Sequence, residues 1–474
     1  MEAQVRQMVA DLVASYTAKN EVRQPVELEK PNGNLGIFKD MESAIAAARE
    51  AQARLVGLPL EVRRNIVASM REAAETHAQE FAERAVEESG RGNKADKILK
   101  NLLAARKTPG VEDVETVAYS DEHGLTVLER APYGVIGSII PVTNPTATVV
   151  NNGIGMVSGG NSVVFNPHPG AKQVSCHTIQ ILNEAIERAG GPANVLVSIA
   201  EPTIESANIM MKHPLIALLV VTGGPAVVRA AMGSGKKVIA AGPGNPPCVV
   251  DETAHIQKAA RDIVAGASFD NNIVCICEKE VLVVESVADH LVSEMQKCGA
   301  YLLSPKDAQK LIDIVIEVPG GPGKEGIIRK EYVGKSPQEL GRLAAVTVPE
   351  ATRLLICEVD AGNPLVWTEQ LMPLLPIVRM ANVNQCIDLA VQCEHGFKHS
   401  AMMHSMDVEH LTKMARAMNC SVFVKNGPCY AGLGQGGAGF TSLTIASPTG
   451  EGLTRARTFT RERRCTLVDY FRII

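Results

Sequence analysis

The stretch "LLVVTGGPAVVRAA", residues 218–231, decides how the chain is built. Its apolar run does not alternate, so it reads as a strand covered on both faces. Thr222, Gly223 and Gly224 turn out of that strand, and Pro225 suits the first helical position, where a missing N–H leaves no intrahelical acceptor wanting. Backbone N–H groups exposed at such a turn favour a pyrophosphate. Working outward, "YGVIGSIIP", "NSVVFNP", "NVLVSIA" and "KKVIAAGPG" are further short apolar runs. The helical stretches "PTATVVNNGIGMVSGG", "AKQVSCHTIQILNEAIERAGG" and "TIESANIMMKH" separate them. Residues 133–241 thus predict an α/β fold whose parallel sheet binds its ligand beyond the strands' carboxyl ends.

The flanks add other elements. Residues 40–106 carry apolar residues at helix spacing, in "MESAIAAAREAQARLVG" and "PLEVRRNIVASMREAAETHAQEFAERAVEES". "EDVETVAYSDEHGLTVLERAP" alternates in two runs around Asp121–Gly124, which predicts a β-hairpin. A second α/β region covers 246–425, with strands near "EKEVLVVE", "RLLICEVD", "LPIVRM", "HSAMMHS" and "CSVFVK". The tail "RCTLVDYFRII" is again strand-like and could join a sheet in another subunit. At the other end, Val5, Met8, Val9, Leu12, Val13 and Tyr16 share one helical face, either packed on their own domain or free to enter a partner's groove.

Composition removes several function classes. Lys and Arg total 47 against 52 Asp and Glu, and a net charge of -5 offers no cationic surface for nucleic acid. No apolar run approaches the roughly 20 residues a membrane span requires, so a cytoplasmic protein is expected. Eleven cysteines without a C-x-x-C pair argue against disulfide frameworks, zinc ribbons and iron–sulfur clusters. Cys393, His395, His399 and His404 lie close together, but Gly396 breaks the helix that an i, i+4 metal pair needs, so no metal is expected. "GLGQGG" (432–437) and "GPGKEG" (321–326) fit a dinucleotide fingerprint only in spelling, because neither joins a strand to a helix.

"SFDNNIVCICEKE", residues 268–280, holds two cysteines one residue apart. A cysteine thiolate that adds to an aldehyde makes a tetrahedral adduct able to expel hydride and leave a thioester, provided donors meet the developing oxyanion. From this point the chain resembles the aldehyde dehydrogenase superfamily, and specifically its CoA-acylating branch of microcompartment acetaldehyde and propionaldehyde dehydrogenases. "FDNNIVCICEK" resembles the branch's Asp-Asn-x-x-x-Cys segment, which implies that Cys275 is the nucleophile and Cys277 packing. "IIPVTNPT" is similar to the Pro-x-x-Asn segment and implies Asn144 as oxyanion donor, with Pro141 and Thr143 beside the cofactor. "NSVVFNPHPGA" and "VVTGGPAVV" resemble the strand and loop under NAD, which implies cofactor contacts at Asn166, His168, Pro169, Thr222, Gly223 and Gly224. "TEQLMPLLPIV" parallels the Glu-x-x-x-Pro segment and implies that Glu369 touches the nicotinamide ribose. His399, in "FKHSAMMHS", matches a branch His-Ser/Thr pair and is either structural or the acceptor of an incoming thiol's proton.

Two departures from hydrolytic relatives matter. "AAGPGNPP" puts Ala241 where those enzymes carry the Glu that activates water, so the thioester should last until CoA arrives. Asn166, His168 and Pro169 replace the Lys and Glu that hold the adenosine ribose, which leaves NAD or NADP open on the residues, NAD being usual in the branch. The resemblance implies an aldehyde dehydrogenase fold with a Rossmann-like NAD-binding domain (36–112 and 132–241), an α/β catalytic domain (242–430) and β oligomerisation arms (113–131 and 455–474). It further implies a homodimer or tetramer, and an amphipathic helix at 1–18, on a linker at 19–35, serving as encapsulation peptide toward microcompartment shell proteins. The expected reaction is reversible oxidation of acetaldehyde or propanal to acyl-CoA. The alternatives are a hydrolytic dehydrogenase, a semialdehyde or acyl-phosphate reductase, and a non-catalytic microcompartment interaction protein. A lowered Cys275 pKa, set by helix N-terminal dipoles, is also expected.

Overall fold

The computed structural model describes residues 35–473, so the helix expected at 1–18 and most of its linker lie outside the described residues. Two parallel sheets dominate. The first has six strands in the order Ile37–Phe38, Leu196–Ile199, Ser162–Pro167, Val135–Ile140, Ile216–Thr222, Lys237–Ala241. Chain order runs outward from Val135–Ile140 to one side, then crosses to Ile216–Thr222 on the other. That reversal opens a crevice at the carboxyl ends of these two strands, where such sheets hold their ligands. Both faces are covered, as the unalternating runs predict: Val135–Ile140 and Ser162–Pro167 are buried at every position. Helix Pro145–Ser158 is also buried throughout its length, packed between sheet and neighbouring helices.

The second sheet has seven parallel strands, ordered Ala300–Leu302, Leu354–Glu358, Leu374–Met380, Glu280–Val284, Pro247–Val250, Ser400–His404, Val422–Lys425. Every strand expected from sequence is there. Two strands are additions, the edge strand Ala300–Leu302 and the interior Pro247–Val250, the latter hidden in the sequence by the turn-like "GPGNP" that precedes it. Pro247 is tolerated because it is the strand's first residue. Residues 59–89, read as one helical stretch, form two helices, Leu60–Thr76 and Ala78–Ser89, interrupted at His77. The His77 ring bonds Glu80 at 2.8 Å and stacks on Phe81.

The predicted hairpin forms from Val117–Asp121 and Gly124–Pro132. The C-terminal strand Thr460–Val468 pairs antiparallel with Gly124–Pro132 of its own chain, from Thr460 opposite Pro132 to Val468 opposite Gly124. The tail's first partner is therefore this hairpin, and among the described residues no strand pairs with its other edge.

Candidate active site

The loop that carries Cys275 follows helix Ile256–Ala267. Asp270, Asn271 and Asn272 all take left-handed backbone angles, with φ of 49°, 52° and 63°. Asp and Asn accept that conformation more readily than other side-chain-bearing residues, yet three in succession persist only where surrounding contacts enforce them. Those contacts are present. Asn272 Nδ2 donates to the Ala267 and Glu278 carbonyls at 2.7 and 3.0 Å, and Lys279 Nζ donates to the Asn272 carbonyl at 2.9 Å. The loop delivers Cys275 partly exposed, whereas Cys277 is fully buried with its thiol toward the Phe269 carbonyl. One of the paired cysteines is thus reachable, and the other is core.

Asp270 is completely buried yet ionic. Its Oδ2 accepts from Lys97 at 3.0 Å and from Lys100, and its Oδ1 accepts from the Asn93 N–H at 2.6 Å. Lys100 also donates to Asn144 Oδ1, and Lys97 to the Thr143 carbonyl at 3.2 Å. Both lysines lie on helix Lys94–Lys107, whose buried face is Asp96, Lys97, Lys100, Asn101, Ala104 and Ala105. Asp96 in turn accepts from the Asp270 N–H at 3.0 Å and from Arg353 at 2.9 Å. Asp270 opens the Asp-Asn-x-x-x-Cys segment, but no sequence motif singled out Asp96, Lys97 or Lys100. An unusually polar helical stripe, Asp96-Lys97 followed by Lys100-Asn101, was the available signal.

A tight crossing joins the two sheets between Ala241 and Pro247. Midway along it, a Cβ on Gly244 would stand 2.9 Å from His399 Cγ and 3.1 Å from the Cys275 carbonyl oxygen. His399 is fully buried; its Nδ1 pairs with Ser400 Oγ at 2.9 Å, while Nε2 has no hydrogen-bond partner among the described residues. Burial, with help from the Lys279 charge, pushes its pKa down to about 4, so the ring is neutral at pH 7. Glu369 is pushed up to about 7 by burial and by Glu325, against the pull of Lys279 and the Gly244 N–H. Both Glu369 and Lys279 act electrostatically on Cys275.

The expectation of a lowered Cys275 pKa is corrected. Burial, followed by the neighbouring Glu369, raises the thiol to about 12, and Lys279 offsets only part of this. Cys275 occupies a turn between a 3-10 segment and a strand, where burial and the Glu369 charge both disfavour the thiolate.

Pro141, Thr143, Asn166, His168, Pro169, Thr222, Gly223 and Gly224 gather at the carboxyl ends of three adjacent strands of the first sheet. Helix Pro225–Met232 begins where expected, with Gly224 as its N-cap and open space where a Gly224 side chain would be. A partly exposed turn at the switch point, ending in two glycines, fits a dinucleotide pyrophosphate. Asn166 is buried and accepts from Ser206 Oγ at 2.6 Å, whereas His168 is exposed and accepts from the Gly170 N–H at 3.0 Å. Among the described residues no group of three or more His, Cys, Asp and Glu could hold a metal ion. His395 Nε2, for instance, lies 3.0 Å from the Trp367 carbonyl.

A dinucleotide crevice on one parallel sheet, facing a cysteine loop on a second, defines the class. The chain belongs to the aldehyde dehydrogenase family, whose sequence model matches residues 19–306. It is 50% identical over 445 residues to a propanal dehydrogenase (CoA-propanoylating) of Salmonella typhimurium, covering 94% of each chain. Among solved structures it resembles Rhodopseudomonas palustris propionaldehyde dehydrogenase with bound CoA and an acylated cysteine. There the TM-score is 0.89 at 46% identity, over 92% of this chain and 98% of that one. The propionaldehyde dehydrogenase of the Clostridium phytofermentans fucose utilisation bacterial microcompartment gives a TM-score of 0.90 at 46% identity, over 93% and 100%.

Proposed function

We propose that the protein oxidises a short aliphatic aldehyde, propanal or acetaldehyde, to its acyl-CoA with NAD and CoA, reversibly, through a thioester on Cys275. The observation that carries this reading is the loop that leaves Cys275 partly exposed while burying Cys277 two residues on. Cys275, once its thiol has lost its proton to solvent, adds as thiolate through Sγ to the aldehyde carbon, and the Asn144 amide and the Cys275 N–H meet the oxygen as it becomes negative. NAD, when bound, would supply the acceptor for the hydride that the adduct releases. Glu369 and the Thr222–Gly224 turn would hold the cofactor, with Pro141, Thr143, Asn166, His168 and Pro169 completing its crevice. Ala241 offers no base to water, so the thioester waits for CoA's sulfur. Neutral His399 receives the proton of the incoming thiol on Nε2.

One assay tests the reading. Propanal and NAD are mixed with the protein, CoA is added or omitted, and NADH and acyl product are followed for wild type and Cys275→Ser. Sustained NADH formation only with CoA, ending in propanoyl-CoA and abolished by the substitution, is expected. Free propanoate formed at the same rate without CoA would overturn it.

Two further readings concern assembly. The three-stranded sheet is exposed along nearly all of Thr460–Val468 and Val117–Asp121, with Tyr119, Leu467 and Val468 uncovered. Such a surface on a long open edge suits pairing between copies in a homodimer or tetramer. The amphipathic pattern at 1–18 suits docking to microcompartment shell proteins. Deleting residues 1–18 is expected to abolish co-localisation with shell while sparing activity, and unchanged co-localisation would reject the role. Among the described residues no helix is long and apolar enough to cross a membrane.

A further inference from the structure

We infer that Lys100 is a positioning residue that aims the Asn144 amide at the oxyanion, and that Asp270, on the nucleophile's own loop, holds Lys100 in place. This rests on Asn144 being the oxyanion donor, and explains how it becomes one. A carboxamide can present either its oxygen or its nitrogen to a substrate, and only the nitrogen stabilises a negative oxygen. A protonated lysine has donors and no acceptor, so the Asn144 atom it bonds must be the oxygen. Lys100 Nζ bonds that atom, Oδ1, which turns Nδ2 the other way. Nδ2 retains only a long contact of 3.3 Å to Thr143 Oγ1. The cation also draws electron density through the amide, making its N–H groups better donors.

Three buried side chains make the arrangement stiff. Lys100, Asp270 and Asn144 are 4%, 0% and 8% exposed. A buried ammonium is costly without a counter-ion, and the one supplied comes from Asp270, five residues before Cys275. Asp270 Oδ2 also takes Lys97, which bonds the Thr143 carbonyl next to Asn144. A single carboxylate oxygen therefore ties the segment carrying the oxyanion donor to the loop carrying the thiol.

The test is a double-mutant cycle with Lys100→Met, Asn144→Ala and the pair, read as kcat and KM for propanal, NAD and CoA. Lys100→Met is expected to lower kcat about 10²-fold, as losing one oxyanion donor does, with KM for NAD and CoA changed by no more than about twofold. The double variant should be no slower than Asn144→Ala alone, within about threefold, since coupled residues are not additive. Lys100→Arg should restore much of the lost kcat. Multiplying losses, or a Lys100→Met enzyme as fast as wild type beside an impaired Asn144→Ala, would overturn the positioning role. An unimpaired Asn144→Ala would instead overturn the underlying oxyanion reading. Should Lys100→Met fail to fold, Asp270→Asn, isosteric and still able to accept, decides by the same cycle: coupled loss supports the role and independent loss rejects it.

Discussion

Gly244 lies so close to His399 that a methyl group on its α-carbon would stand 2.9 Å from the imidazole Cγ, and 3.1 Å from the Cys275 carbonyl oxygen. The absence of a side chain lets the crossing between sheets approach both the thiol loop and the histidine. Gly244→Ala should force the three apart by a fraction of an ångström or more. Displacement on that scale lowers kcat about 10²-fold, and crowding costs about 1–3 kcal/mol of stability. Steady-state kinetics and urea unfolding of the variant measure both.

The raised Cys275 pKa gives a labelling prediction. With the thiol near 12, alkylation by iodoacetamide in the absence of cofactor should climb about tenfold per pH unit from pH 7 to 9. Lys279→Met should slow it and Glu369→Gln should speed it above pH 7, where that carboxylate ionises. Peptide mass spectrometry of the Cys275 label follows the rate, and a plateau near pH 7 would contradict the predicted environment.

His399 links stability to pH. Its folded pKa is about 4 against 6.5 for a solvated imidazole, so between these limits the unfolded chain binds more protons than the folded one. Its contribution is present above pH 6.5 and is lost as pH falls toward 4. The stability difference between wild type and His399→Asn should therefore shrink by roughly 2–3 kcal/mol over that window. Denaturant unfolding of both proteins at pH 4.5 and 7 measures it.

Ala241 ends the last strand of the cofactor sheet and is 4% exposed. Restoring a carboxylate by Ala241→Glu should give water its base and raise propanoate release without CoA by about tenfold or more. Quantifying free acid against acyl-CoA in single turnovers checks the outcome. Some loss of stability should accompany the buried charge.

The cofactor sheet was readable because its evidence is local. Strands such as Val135–Ile140 and Ser162–Pro167 announce themselves by unbroken apolar runs, and the turn Thr222–Gly224 by its residue types. Cys275 and Asn144 stood out through short motifs that resemble a family's. Pro247–Val250 escaped because a proline-rich approach reads as a loop until sheet neighbours on both sides pair with it.

By itself, the sequence determined most of the strands and helices, set Cys275 in a segment that resembles the family's thiol motif and put an alanine at position 241. Only the tertiary structure decided that Lys97 and Lys100 face inward, where helical periodicity would leave charges in solvent, because their counter-ion Asp270 lies some 170 positions along the chain. It also decided the sign of the Cys275 shift. Burial and the Glu369 charge act through space, and neither leaves a trace in the residues adjoining the cysteine.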